Sequence, residues 1–301
     1  MKIIVTHMAP DWDAITSVWL LKKYLSCWQD AEVRFVPAGQ KLGLNDAKVV
    51  SREGDPIEKV DGGEMIHVDT GLGPLDHHQT QDQTVCAASR TWEYVLAQFE
   101  TSNDKMTSEH KEAVSRIVKV VVDIDHFKEV FWYNAASDIY EFSLIGVLEG
   151  LKYEQQGQDN KALDFGIICL NALVSEFENR IWAEKEIKEK GILFETSFGK
   201  GIGFETLNDT VLKLAQKMGY LLVVRKDPRK GYVRIKTLPA REDNPGLDLT
   251  PVYKQLKAMD PDATWFLHVS KKMLLNGTPK NPKMIPTKLS LKEIISVLEK
   301  V

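Results

Sequence analysis

The sequence predicts an α/β protein of two domains: a parallel-sheet domain with helical cover over residues 1–190 and a smaller basic α/β domain over 191–301. Three observations carry this. β-rich runs alternate with helical spacing before Ala87, a long block of helical periodicity follows, and near Lys190 the chain turns glycine-punctuated and hairpin-like. The length of 301 residues suits two domains.

"KIIVTH" reads as the first strand, and "DAITSVWLLKKYLSCW" from Asp13 to Trp28 as the helix after it. "EVRFVP" (32–37) and "EMIHVDT" (64–70) are further strands. Helices follow at "SRTWEYVLAQF", "KEAVSRIVKVVVDID", "SDIYEFSLIGVLEGL" and the long "NKALDFGIICLNALVSEFENRIWAEKEIKEK". The end of that last helix is a connector, which places the domain boundary within 185–200. "KGILFETSFGKGIGFET" is β-like, and "LNDTVLKLAQKMG" is a helix with Asn208 as N-cap. "YLLVVRKDPRKGYVRIKTLP" reads as a hairpin turning at Asp227, Pro228 and Gly231. "TPVYKQLKAM", "ATWFLHVS" and "LSLKEIISVLEKV" complete the second domain. "FGKGIGFE" (198–205) lacks the GK[ST] ending of a phosphate loop and is expected to be a pair of β-turns.

No apolar run reaches the roughly 18 residues of a membrane span. "MKIIVTHMAPDWD" meets acidic residues too early for a secretory signal, so the expectation is a cytoplasmic protein without a membrane partner. Cys27, Cys86 and Cys169 lack metal or redox spacing and read as reduced thiols. Charge is asymmetric. Residues 1–198 carry 20 Lys+Arg against 33 Asp+Glu, whereas residues 199–301 carry 19 against 10. An acidic half can hold cations and a basic half can hold a polyanion.

The chemistry concentrates at three places. "THMAPDWDA" gives His7, Asp11 and Asp13 after the first strand; "VDTGLGPLDHHQTQD" gives Asp69, Asp76, His77 and His78; "VVVDIDHF" offers Asp123, Asp125 and His126. Turns after parallel strands bring side chains together at the C-terminal edge of a sheet, where α/β proteins bind ligands. Carboxylates gathered there repel one another unless cations neutralise them. Oxygen and imidazole donors without thiolate favour Mn²⁺ or Mg²⁺, with Co²⁺ or Fe²⁺ as substitutes. Asp123 and Asp125 point to different faces of a helix or a strand, so only one of them should face the site. Trp12, between the two aspartates of the first motif, either covers the site or packs beneath the loop.

These motifs resemble those of the DHH phosphoesterase superfamily, matched by "HMAPDWD", "HVDTG", "DHH" and one acidic residue within "VVDID". That superfamily includes RecJ-type exonucleases, phosphodiesterases of short RNA and cyclic dinucleotides, and manganese-dependent pyrophosphatases. "LDHHQT" and "YVRIKTLPAREDNPGLDLTPVYKQLKAMDPDATWFLHVSKKMLLNG" look like melanocyte-proliferating-gene-type exonucleases, although "THMAPD" departs from the Thr-His-x-Gly segment of that group. The resemblance implies a DHH-type first domain and a cleft between the two domains. It implies two divalent ions, Mn²⁺ foremost: His7 and Asp11 on one, Asp13 and His77 on the other, Asp69 between them, and Asp123 or Asp125 as a further ligand. His78 would contact the scissile phosphate, and Asp76 would orient a histidine. A water bridging two ions about 3.5–4 Å apart would be the nucleophile.

In the second domain, "RKDPRKGYVRIK" supplies Arg225, Arg229 and Arg234, with Tyr232 placed to stack a base. By the same resemblance His268, Ser270, Lys271, Asn276 and Gly277 would line the substrate side. The expected substrate is a short single-stranded nucleic acid or nucleotide, cleaved as an exonuclease cleaves it. The alternatives are a small-substrate phosphatase or manganese-dependent pyrophosphatase, and a non-catalytic nucleotide- or metal-binding protein. Expected partners extend to a second copy of the chain, as a homodimer.

Overall fold

The computed structural model describes residues 1–43, 54–60, 62–101, 105–241, 246–278, 281 and 283–300. It is a mixed α/β protein that divides into two compact units, Met1–Glu178 and Asn179–Val301.

In the first unit a four-stranded sheet has the order β2-β1-β4-β3, from β1 (Lys2–His7), β2 (Glu32–Val36), β3 (Ile57–Val60) and β4 (Gly63–His67). β1 pairs in parallel with β2 and β4, while β3 runs antiparallel to β4 at the edge. The sheet is therefore parallel with one reversed strand. β3 was not anticipated, because "IEKV" is too short to show a period of two. Alternation along β1 splits the core. Ile4 joins Ile66 and the helices, whereas Ile3 and Val5 meet Val36 and Met65 on the opposite face.

The helical cover comes from α1 (Trp12–Tyr24), α2 (Ala87–Thr101), α3 (Ser108–Asp125) and the first turns of α6 (Asp159–Lys190). α1 ends at Tyr24, short of the expected Trp28, since Leu25 leaves the helix in an extended conformation and Cys27 then turns into the left-handed region. The single helix expected over 137–151 is two, α4 (Asp138–Glu141) and α5 (Leu144–Glu154). Ser143 starts α5 afresh by accepting the Gly146 N–H at its hydroxyl. Only a glycine fits at 146, where a Cβ would lie 2.3 Å from the Glu141 carbonyl oxygen.

The second unit is built on β5 (Ile192–Thr196), β6 (Gly199–Glu205), β7 (Leu222–Lys226), β8 (Val233–Thr237), β9 (Trp265–Leu267) and β10 (Met273–Asn276), in the order β5-β6-β7-β8-β10-β9. Only β6 and β7 pair in parallel. Leu222 and Val224 face a core completed by α8 (Thr250–Met259) and α9 (Leu291–Leu298). Val223 faces α7 (Thr210–Lys217) together with Ala183 and Ile187 of α6. Those apolar contacts draw the last turns of α6 into the second unit and put the division at 178–179, ahead of the predicted 185–200. "FGKGIGFE" is strand β6 and the hairpin turn before it, while β10 was hidden in a stretch read for its charge. No helix among the described residues is long and apolar enough to cross a membrane.

Candidate metal centre

β1 and β4 are parallel neighbours, so their C-terminal ends open on one edge of the sheet. The backbone past β1 carries His7 into a turn that ends at Asp11, the N-cap of α1, whose Oδ1 accepts the Asp13 and Ala14 N–H groups. The same carboxylate thus caps a helix and turns Oδ2 to within 3.8 Å of His7 Nε2. The chain past β4 stays bonded to β1 through the Val68 N–H and the Val5 carbonyl, then folds into a tight loop closed by the Asp69 N–H on the Leu75 carbonyl. Buried Asp76 knits this loop from within, accepting the Leu72 and His78 N–H groups. Four of the seven non-glycine residues with positive φ among the described residues, Ala9, Asp69, Leu72 and Phe127, belong to the turns around this edge. Each costs on the order of 1 kcal/mol, a strain that concentrates at functional sites.

His7 Nε2 lies 3.1 Å from Asp69 Oδ2, and His7 Nδ1 is 2.8 Å from the Met8 carbonyl, which fixes the Nδ1–H tautomer once the imidazole is neutral. His77 Nε2 is 3.6 Å from Asp13 Oδ2, 3.7 Å from Asp69 Oδ1 and 3.6 Å from Asp125 Oδ2. Three of these atoms, Asp69 Oδ1, His77 Nε2 and Asp125 Oδ2, are buried with no hydrogen-bond partner in the protein. Buried polar atoms almost always find partners. Three unsatisfied donor atoms of metal-ligand type, turned toward one another, fit the donor set of a cation. Asp69, His77 and His78 form one group whose ligand atoms lie within 4.8 Å of one another; His77, Asp125 and His126 form a second, and His7, Asp11 and Asp69 a third. Asp69 and His77 each belong to two of them.

The electrostatics agree. Burial pushes the Asp13 carboxyl well above the usual carboxylate range, reinforced by the charges of Asp69 and Asp125. Burial likewise raises Asp125 to about 6, together with Asp11 and Asp69. Burial opposes a charge on His7, but the Asp69 hydrogen bond and the charges of Asp11 and Asp69 prevail and raise its pKa to about 9. Burial lowers the pKa of His77, which favours the neutral imidazole, and its Nε2 has no hydrogen-bond partner. Burial also opposes charge on His78, yet its pKa is raised by the Asp76 hydrogen bond and by Asp69. Asp76 Oδ1 is 2.6 Å from His78 Nδ1, and the His78 side chain is exposed.

Of the two carboxylates in "DID", Asp125 faces the cluster. Asp123 is instead paired with Lys128 at 2.9 Å and belongs to none of the three groups. Asp13 has a task the sequence did not reveal: its two oxygens accept the Ala87 and Ala88 N–H groups at 2.8 and 2.6 Å and cap α2. His126 carries no assigned role in the sequence reading, although it directly follows Asp125; its Nε2 lies 2.9 Å from the Val85 carbonyl. Trp12 is buried in the helical core and packs beneath the loop.

The second unit treats its predicted residues differently. Arg225 is buried, with Nε 2.6 Å from Asp209 Oδ1 and Nη1 donating to the Thr206 carbonyl. Arg234 pairs with the other Asp209 oxygen. Asn276 is fully buried; its amide donates to the Thr264 and Ile285 carbonyls and its oxygen accepts the Thr287 N–H, so both donors and the oxygen are engaged inside the fold. Gly277 admits the Tyr232 ring, which a Cβ would meet at 2.0 Å. These four support the fold. Arg229 is exposed at the hairpin turn, Lys271 pairs with Asp248, and His268 Nδ1 lies 2.8 Å from the Ser270 hydroxyl.

No model of a known protein family matches the chain, and no curated protein is matched to it.

Proposed function

We propose that the protein is a metal-dependent phosphoesterase of DHH type that hydrolyses phosphodiester bonds in short oligonucleotides. The observation that carries this reading is the convergence of Asp69 Oδ1, His77 Nε2 and Asp125 Oδ2, buried and unpartnered, at the sheet edge. His7, Asp11, Asp13, Asp69, His77 and Asp125 would hold two divalent cations, with Asp69 shared. Oxygen and imidazole donors suit Mn²⁺ best. Such cations, when bound, polarise phosphoryl oxygens and make water more acidic.

The remaining work falls to the chain. Asp76 holds the His78 ring through Nδ1 and sustains its positive charge, so the exposed nitrogen can donate to a nonbridging phosphate oxygen as negative charge builds there. Asp11 and Asp13 cap α1 and α2, which anchors their carboxylates to rigid elements. The strained turns at Asp69 and Leu72 keep the Asp69–Asp76 loop in one shape.

A second reading, a small-substrate phosphatase or pyrophosphatase, draws support from the second unit. Arg225 and Arg234 are both engaged by Asp209, which leaves fewer cations for a long polyanion than the sequence suggested. The test is incubation with Mn²⁺ and end-labelled single-stranded RNA or DNA of a few nucleotides, beside pyrophosphate, with Asp69→Asn as control. Stepwise mononucleotide release lost in the variant supports the exonuclease reading. Phosphate from pyrophosphate alone supports the second. Turnover that survives Asp69→Asn overturns both.

A further inference from the structure

Beyond the end of α3 lies a run of exposed apolar side chains. Phe127, Val130, Phe131, Tyr133, Ile139 and Phe142 are all exposed, with Phe131 at 84% and Tyr133 and Phe142 at 93%. This segment is locally ordered. The Tyr140 hydroxyl donates to the Tyr133 carbonyl, the Trp132 and Tyr140 rings pack at 5.4 Å, and the Ser137 N–H closes a turn on the Asn134 carbonyl. At ~200 Å² for a whole aromatic side chain, the six expose roughly 800 Å². Summed over this one segment, that is more than the largest apolar patch of an ordinary monomer exposes, roughly 300–600 Å². It equals the area each partner buries in a standard stable interface, about 800 Å².

The same surface carries a receptor. An apolar cavity of about 250 Å³ is walled by Trp12, Val121, Ile124, Trp132, Leu144 and Phe177. An apolar cavity of about 150 Å³ is enough to take up benzene. Two of its rim residues, Trp132 and Leu144, lie one and two positions from the protruding Phe131 and Phe142. Protrusion and cavity thus occupy one patch, the requirement for a twofold interface in which each copy presents the same surface to the other. Acidic Glu129, Asp138 and Glu141 outnumber Lys128, itself held by Asp123, so the patch is poorly suited to an anionic membrane.

We propose that the segment Phe127–Leu144 is a homodimerisation surface, with an aromatic ring of one copy seated in the Trp132–Leu144 cavity of the other. This does not depend on the catalytic reading. Sedimentation equilibrium of the full chain from about 1 to 100 μM is expected to give twice the 34.1 kDa chain mass. Phe131→Glu with Phe142→Glu should raise the dimer dissociation constant at least 100-fold and return the mass to 34.1 kDa. Both side chains are exposed, so a wild-type far-UV spectrum is expected. Leu144→Trp, which fills the cavity without adding charge, should weaken the dimer independently. A wild-type mass that stays monomeric at 100 μM overturns the proposal, as does a dimer unchanged in both variants. So does flotation of a monomeric wild type on phosphatidylcholine vesicles, which would assign the patch to lipid.

Discussion

Raising the pH of the metal-free protein should destabilise its first unit, and Mn²⁺ should reverse the loss. His7 has its pKa raised from 6.5 to about 9 by Asp69 and Asp11 against the cost of burial, and Asp125 is raised from 3.8 to about 6. Both groups, together with Asp13, hold protons in the folded state that the unfolded chain has released. The folded state therefore binds more protons, and stability falls as pH rises. Asp125 acts between pH 3.8 and about 6, His7 between 6.5 and about 9. For His7 the shift corresponds to ~3 kcal/mol, at about 1.4 kcal/mol for each pH unit. In a unit of this size that is a fall in melting temperature of roughly 6–12 °C. A divalent cation held by His7 would have to displace its proton, so its affinity should rise as pH approaches 9. At a hundred times its dissociation constant, Mn²⁺ returns about 2.7 kcal/mol. The assay is tryptophan fluorescence against temperature in EDTA and in Mn²⁺, at pH 6.5, 7.5 and 8.5. Five of the seven tryptophans lie in the first unit, so the signal reports chiefly on it. A metal-free melting temperature that is flat or rises from pH 6.5 to 8.5, or a slope that persists in His7→Gln, would refute the reasoning.

Asp125→Asn should weaken Mn²⁺ binding at least 10-fold by calorimetric titration, while Asp123→Asn, outside the cluster, should change it less than 3-fold. Asp69→Asn should abolish tight binding yet keep the melting temperature of metal-free protein better than Asp69→Ala, because asparagine tolerates the φ of 54° at that position. Asn276→Ala should lower the stability of the second unit by ~2–4 kcal/mol in urea titration, through three lost buried hydrogen bonds, and leave Mn²⁺ affinity at the wild-type value.

What was legible in the sequence follows from how local the signal is. β1, the start of α1 and the Asp-x-Asp turn announce themselves through apolar periodicity and spacing, while the end of α1 at Tyr24 falls short of the expected Trp28. The choice between Asp123 and Asp125 was not local. It depends on the rotation of α3 against α1 and α2, set by Val114, Ile117, Val118 and Val121 in the shared core. The role of Asp13 as cap of α2 was equally hidden, since 74 residues separate it from Ala87. In the second unit, charge density misled. A run of arginines and lysines looks like an anion site until Asp209, from the helix start before it, claims two of them.

The reason to expect a cation lies in what the fold tolerates without one. Asp13 is buried and Asp69 nearly so, Asp125 is largely covered, and the turns that carry Asp69 and its loop are strained at Asp69 and Leu72. A sequence selected only for stability would replace such a cluster by apolar residues, which is often neutral or favourable. Protonation relieves part of the repulsion, as the raised pKa values of Asp13 and Asp125 record, but it leaves Asp69 Oδ1, His77 Nε2 and Asp125 Oδ2 without partners. One charged species that accepts lone pairs from all three at once satisfies the orphaned atoms and the charge together. A proton shared between two of those atoms leaves the third without a partner, a water brings no charge to offset the carboxylates, and no lysine pairs with them among the described residues. A divalent cation meets both demands, and the short, strained loop from Asp69 to Asp76 makes sense as the part of the chain that holds its ligands in register.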